Sequence, residues 1–304
     1  MVKRERVTPV TRAPKAPKPP AEPAEFQIGW ALHQMKRDPA YRSVVVAPEG
    51  YTIVEFDAAG QEFRWMAIQS GDQVMLQLCL PGEDPHSFMG SRIDRSFEYR
   101  ELITAVHEGD KDAKRIRMSG KVGNLSLQYR TSARTFYVRA RVDHGMAITM
   151  AEAEHTHFVY HKTYQGIRRY WERSINKSRQ LRYAETLGGR RVQLTGDWNG
   201  PDKWSLGSTA INYPVQGTGA DQKTLALSVL RDYIISVGAY FMFDLHDGLY
   251  FAVPDDKLWQ FIETCQQLLN NLPYKRAWGM TPPIPMPWDC KAGKSWGSLK
   301  EVKL

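Results

Sequence analysis

Asp57 ends an apolar, β-rich run, Tyr51-Thr-Ile-Val-Glu-Phe-Asp57. Asp247 lies where a second such run, Ala239-Tyr-Phe-Met-Phe-Asp-Leu-His246, meets a third, Leu249-Tyr-Phe-Ala-Val253. Carboxylates brought together from separate elements are what two-metal phosphoryl transfer requires, because the cations sit about 3.5–4 Å apart. Magnesium takes few protein carboxylates and fills its shell with water and phosphate oxygens, so two aspartates suffice when a nucleotide brings the rest. Both residues also have ordinary explanations: Asp247 can begin an Asp-Gly turn, and Asp57 can cap the helix that follows it.

A second feature is a helical face. Arg117, Lys121, Asn124 and Gln128 follow i, i+4, i+7, i+11 and predict a cationic, polar stripe. Two cations a turn apart can hold a triphosphate, and neutralising the transferred group is most of what phosphoryl transfer asks of a protein. A solvated helix face has the same pattern. Gly120 and Gly123 each cost about 1 kcal/mol against alanine in a helix, and so fit a place where a ligand or another element comes close. Farther on, Asn212-Tyr-Pro-Val-Gln-Gly-Thr-Gly-Ala-Asp221 reads as a loop and helix start, with Thr218 or Asp221 as caps. Its amides, Asn212 and Gln216, can read acceptors in a minor groove.

The elements that must position these groups follow from pattern. Strands are expected over 51–57, 239–246 and 249–253, with a hairpin at Asp247-Gly248. Helical segments are expected over 61–69, 111–133, 150–187, 220–237 and 256–271. The first 26 residues hold six of the eighteen prolines and six basic residues, and read as a flexible tether that cannot offset its ordering entropy. No further linker and no repeat interrupts the chain.

With 304 residues, 42% hydrophobic and 24% charged, the chain can bury a substantial core. No run approaches the roughly 18 apolar residues of a membrane span, and no secretion signal opens it, so a cytoplasmic location is expected. Cys79, Cys265 and Cys290 are far apart and give neither a disulfide framework nor a zinc knuckle. The net charge of +8 suits a polyanion if it gathers on one face. His157 and His161 have metal-ligand spacing, but with His155 they find no completing ligand and read as exposed polar residues on a helix. Trp171, Trp198 and Trp204 read as packing residues.

Taken in order, these segments resemble the motifs of family A DNA polymerases. Asp57-Ala-Ala-Gly-Gln-Glu-Phe-Arg64 is similar to the first motif, D-Y-S-Q-I-E-L-R, preceded by Val46-Ala-Pro-Glu-Gly-Tyr51 and followed by Ser70-Gly-Asp72 and Asp84-Pro-His86 in matching places. Arg117-Met-Ser-Gly-Lys121-Val-Gly-Asn124-Leu-Ser-Leu-Gln-Tyr129-Arg130 is similar to R-x-x-x-K-x-x-N-F-G-x-x-Y-G. Glu185-Thr-Leu-Gly-Gly-Arg-Arg191 resembles E-T-x-x-G-R-R, the 212–221 run resembles N-x-P-x-Q-G-T-x-A-D, and His246-Asp247 stands for H-D-E.

The resemblance implies an α+β fold, a right-hand palm of antiparallel sheet with helices plus a mostly helical fingers subdomain, without thumb or exonuclease. The expected layout is a tail at 1–26, palm at 27–108, fingers at 109–195 and palm again at 196–304. It implies template-directed addition of dNTPs to a primer on primer-template DNA. Asp57, Asp247 and the Ala58 carbonyl would hold two Mg2+ ions, for which Mn2+ can substitute. Lys121, Arg117 and His86 would hold the triphosphate, and Gln61, Glu62, Leu125 and Tyr129 would line the nucleotide. Glu62 paired with Tyr129 would close the space of a ribose 2′-OH. Asn212, Gln216 and His246 would track the primer-template. A separate thumb and exonuclease polypeptide, or a processivity factor, is the expected partner, and compactness suggests a phage or mobile element.

Departures from the family pattern are Gly248 in place of a second carboxylate, Leu125 in place of an aromatic, Ser126 and Arg130 in place of glycines, and Ser208 in place of an arginine. They keep open a polymerase-like DNA-binding or scaffold subunit. A single-subunit RNA polymerase would share the aspartates and the cationic helix, but Glu62 argues against it. A metal-dependent nuclease would need no triphosphate helix.

Overall fold

The computed structural model describes Met35 and residues 38–302, so the expected tail at 1–26 lies outside the described residues. In chain order the helices are α1 (Pro39–Arg42), α2 (Gln61–Ser70), α3 (Gln73–Gln77), α4 (Pro85–Ile93), α5 (Tyr99–Glu108), α6 (Lys111–Leu127), α7 (Ala133–Val142), α8 (Met150–Thr163), α9 (Gln165–Leu181), α10 (Lys203–Ser236), α11 (Leu258–Asn270) and α12 (Tyr274–Trp278). The strands are β1 (Tyr51–Ala58), β2 (Tyr183–Glu185), β3 (Arg191–Gln193), β4 (Tyr240–Leu245), β5 (Gly248–Pro254), β6 (Trp288–Gly293) and β7 (Lys300–Glu301). The mixed fold, an antiparallel sheet with many helices, is the α+β class expected from sequence.

Strand β1 is rich in β-branched and aromatic residues and lies at the centre of a five-stranded sheet of order β4-β5-β1-β6-β7, antiparallel throughout. Side chains alternate across a strand, so its two faces have different tasks. Phe56 packs toward α11, where Phe56, Phe251 and Phe261 form a triangle of rings with centroids 5.8–6.3 Å apart. Glu55 and Asp57 take the opposite face. The chain then turns through Gly60, in the left-handed region at φ 59, into α2. Gly60 holds the N-cap position, so Asp57 does not cap this helix.

Four expectations are corrected. The helix expected over 111–133 stops at Leu127 and restarts at Ala133, and the one over 150–187 breaks at Tyr164 and gives way to β2. The 212–221 run is no loop: it lies inside the 34-residue α10, with Pro214 in the helix interior. The β4–β5 turn falls one residue earlier than expected. Leu245 pairs with Gly248, leaving His246 and Asp247 as turn residues, with His246 at φ 53.

Helices α4 and α6 cross with almost no space between their backbones. A Cβ on Gly120 would lie 2.1 Å from the His86 carbonyl oxygen, and one on Gly90 would lie 2.6 Å from that of Ile116. At Gly123 the nearest atom, on Thr156, would be 3.5 Å away, an ordinary contact. Among the described residues no helix is long and apolar enough to cross a membrane.

Glycine identity should therefore matter at one of these positions and not the other. Gly120→Ala is expected to lower stability by about 2–3 kcal/mol through overpacking. Gly123→Ala is expected to be neutral or stabilising by up to about 1 kcal/mol, from helix propensity. Chemical denaturation of both variants checks this, and equal effects would contradict the close crossing.

Candidate active site

Pairing of β1 with β5 sets Asp57 opposite Gly248, and the Ala58 N–H donates to the Asp247 carbonyl oxygen at 3.3 Å. The side chains of Asp57 and Asp247 thereby come within hydrogen-bonding reach of each other. Burial, then the Asp247 and Glu55 charges, push the Asp57 carboxyl up to about 7, while Lys291 pulls the other way. Two half-buried carboxylates held against their repulsion could seat a hard cation, since oxygen donors suit magnesium or manganese. Among the described residues no three His, Cys, Asp or Glu side chains converge as a metal cage. A cation here would complete its shell with water and substrate oxygens.

The expected cationic stripe is only partly realised. Arg117 and Lys121 are half-buried, but Asn124 and Gln128 are wholly buried, the first against α4 and the second where Trp171 donates to its carbonyl. Arg117 donates from Nε to Asp84 Oδ2 at 2.6 Å. Asp84 also caps α4, and although burial opposes it, these bonds hold its carboxyl below the usual range. Asn124 Nδ2 donates to the Pro85 carbonyl at 2.8 Å and lies 3.3 Å from His86 Nδ1. Burial, then the Arg117 charge, lower His86 to about 4, so it is neutral near pH 7, with Lys121 also close enough to act on it. The α4–α6 crossing thus gathers Arg117, Lys121 and His86.

Glu62 joins the sheet side to this helix. Its Oε1 accepts from Tyr129 Oη at 2.6 Å, as the sequence led us to expect, and from Gln216 Nε2 at 2.9 Å, which it did not. Gln61 instead turns toward α10, donating to Gln222 at 3.2 Å beside Gly219. Leu125 is half-exposed, Asn212 half-buried, and His246 exposed at the hairpin tip.

Other motif residues prove to be structural. Arg64 donates to the carbonyls of Ala59, Cys79 and Pro285. Asp221 accepts from Thr186 and from Arg190, at 2.7 Å in the latter case, and Thr218 accepts from the Leu187 N–H, so two of the matched motifs clasp each other. Arg130, where the family pattern has glycine, adopts φ 57 with its guanidinium 5.0 Å from the Trp204 ring. Trp204 is 65% exposed, contrary to the packing role expected of it. His161 is likewise not exposed: it is buried against Tyr160 and Trp171. Sequence reasoning missed Glu55, Tyr250 and Lys291, which adjoin Asp57 on the same sheet face; strand alternation from Asp57 was the available signal for Glu55.

Known proteins resemble this chain in sequence and in fold. Residues 31–298 match the profile of DNA polymerase family A. DNA polymerase I of Deinococcus radiodurans is 27% identical over 261 residues, covering 85% of this chain and 25% of the relative. A thermostable DNA polymerase I of Thermus thermophilus is 26% identical over 263 residues, covering 86% and 29% respectively. The chain therefore spans little more than a quarter of the length of these relatives. The POL domain of Pol1 from M. smegmatis, solved in complex with DNA primer-template and dNTP, shares the fold with a TM-score of 0.70. Its identity is 23%, covering 91% of this chain and 44% of that one.

The Asp57 shift sets a pH dependence. Its folded pKa lies above the unfolded value of 3.8, so the metal-free chain loses stability as pH rises from about 4 through 7, and a cation must displace a proton below that point. Affinity for Mn2+ is expected to rise roughly tenfold per unit below pH 7 and to level off above it. Calorimetric titration on either side of neutrality checks this; equal affinity, or a fall with rising pH, would contradict it.

Proposed function

This chain belongs to DNA polymerase family A, and from that membership we propose that it adds deoxynucleotides to a primer 3′ end under the direction of a DNA template. The observation that carries the proposal is the contact of Asp57 with Asp247. These carboxylates, with the Ala58 carbonyl, would hold two Mg2+ ions. Bound there, the cations would supply Lewis acidity that lowers the pKa of the primer hydroxyl and neutralises charge on the phosphates. The hydroxyl attacks the α-phosphate in line and pyrophosphate leaves.

The chain's own residues have distinct tasks in this proposal. Lys121 and His86 would bind the triphosphate, and Arg117 would join them from its Asp84 pair. Glu62, fixed by Tyr129 and Gln216, would fill the space of a 2′-OH, while Leu125 and Gln61 border the nucleotide. Asn212, Gln216 and His246 would follow the primer-template. We take 27–108 and 196–304 as palm and 109–195 as fingers, with α4 of the first palm segment packed on α6. A cytoplasmic location belongs to the same proposal. Duplex grip is assigned to a separate thumb and exonuclease polypeptide or a processivity factor, so short products are expected from the chain alone. Full processivity without any partner would contradict that assignment.

Primer extension with Mg2+ tests the central proposal. Asp57→Ala and Asp247→Ala are each expected to reduce incorporation to background. Lys121→Ala should lower kcat/KM for dNTP about tenfold or more, the loss of one charge-assisted contact of roughly 1.5–3 kcal/mol. Glu62→Ala should admit ribonucleotides. Unchanged extension by either aspartate variant would defeat the proposal.

A further inference from the structure

Position 248 carries no side chain, and the space beside it is taken. A Cβ on Gly248 would lie 3.2 Å from Tyr250 Cε2 and 3.4 Å from Tyr250 Oη. The Tyr250 ring is fixed there by stacking on Phe243, centroids 4.5 Å apart, and by the edge of Trp296. A side chain at 248 would require that ring to give by a few tenths of an ångström.

A carboxylate is present one strand away. Glu55 precedes Asp57 by two residues and shares its face, and in the register of the sheet it stands between Tyr250 on β5 and Lys291 on β6. It is 8% exposed. Both oxygens are engaged: Oε1 accepts from Tyr250 Oη at 2.5 Å and Oε2 from Lys291 Nζ at 3.1 Å. The tyrosine that occupies the place beside Gly248 is thus the same residue that orients Glu55.

We propose that Glu55 is a positioning residue of the Asp57–Asp247 pair, standing in from β1 for the carboxylate absent at 248 and holding Lys291 away from Asp57. The inference rests on the proposal that this pair binds divalent cations. Its basis is geometric: Glu55 and Asp57 share one face of β1, and Glu55 Oε2 holds the Lys291 ammonium at 3.1 Å on the neighbouring strand. With Glu55 neutral, Lys291 would lose its ion pair, and its ammonium would be free to turn to Asp57 and compete with a divalent cation there.

The test is Mn2+ binding by the full chain without DNA, read by calorimetry and by the electron paramagnetic resonance of free Mn2+, with Asp57→Asn as the control for the site. Glu55→Gln retains shape and an acceptor for Tyr250 but removes the charge, and should weaken binding about 10- to 100-fold, the range for outer groups of metal sites. Lys291→Met alone should tighten binding, and added to Glu55→Gln it should restore most of what was lost. A merely structural role for Glu55 would not be reversed by removing its partner, and thermal unfolding of each variant shows whether it folds. Wild-type affinity in Glu55→Gln, or no recovery in the double variant, would overturn the inference while leaving the cation site intact. Absence of Asp57-dependent binding in the wild type would instead overturn the cation site itself, and this inference with it.

Discussion

Backbone hydrogen bonds between β1 and β5 hold together two carboxylates that would otherwise move apart. Asp57 faces Gly248 in the register, and Asp247 lies one residue before it in the turn, so neither can withdraw without breaking the ladder. The phenylalanine triangle on the opposite sheet face anchors both strands to α11. Core packing thereby offsets the repulsion of the pair, which a cation would relieve. A cation bound there would meet like charges that the fold has already brought together.

A second set of contacts places the cationic helix. Gly90 and Gly120 allow α4 and α6 to touch, which carries His86 to Lys121, while Asp84 caps one helix and pairs with Arg117 on the other. Glu62 then ties this assembly to α2, immediately beyond Asp57. Arg64, and Asp221 with Thr186 and Arg190, hold the connecting segments through carbonyls and carboxylates rather than apolar packing. Much of the motif conspicuous in the sequence is therefore scaffold, with few residues free to meet a substrate.

Strands β1, β4 and β5 and helix α2 were legible because alternation, β-branching and a glycine turn act locally. The Asp57–Asp247 contact came from resemblance and strand ends together. The long helix through 212–221 was not legible, since proline and glycines there argue for a loop. Its stability comes from tertiary contacts: Tyr170 donates to the Ile211 carbonyl beside Pro214, Gln69 donates to the Pro214 carbonyl, and Gly217 and Gly219 admit Thr186 and Gln61. Burial of Asn124, Gln128 and His161 was hidden for a like reason, because helical spacing gives a shared face but not what covers it. The hairpin lies one residue earlier because His246 accepts the left-handed conformation that an Asp-Gly turn assigns to glycine.

The most direct measurement is anomalous scattering from Mn2+ in crystals of this chain with a terminated primer, template and dNTP. The account predicts two peaks about 3.5–4 Å apart, both touching Asp57 and Asp247. Manganese bound elsewhere, with those carboxylates left free while nucleotide and primer terminus are in place, would contradict it.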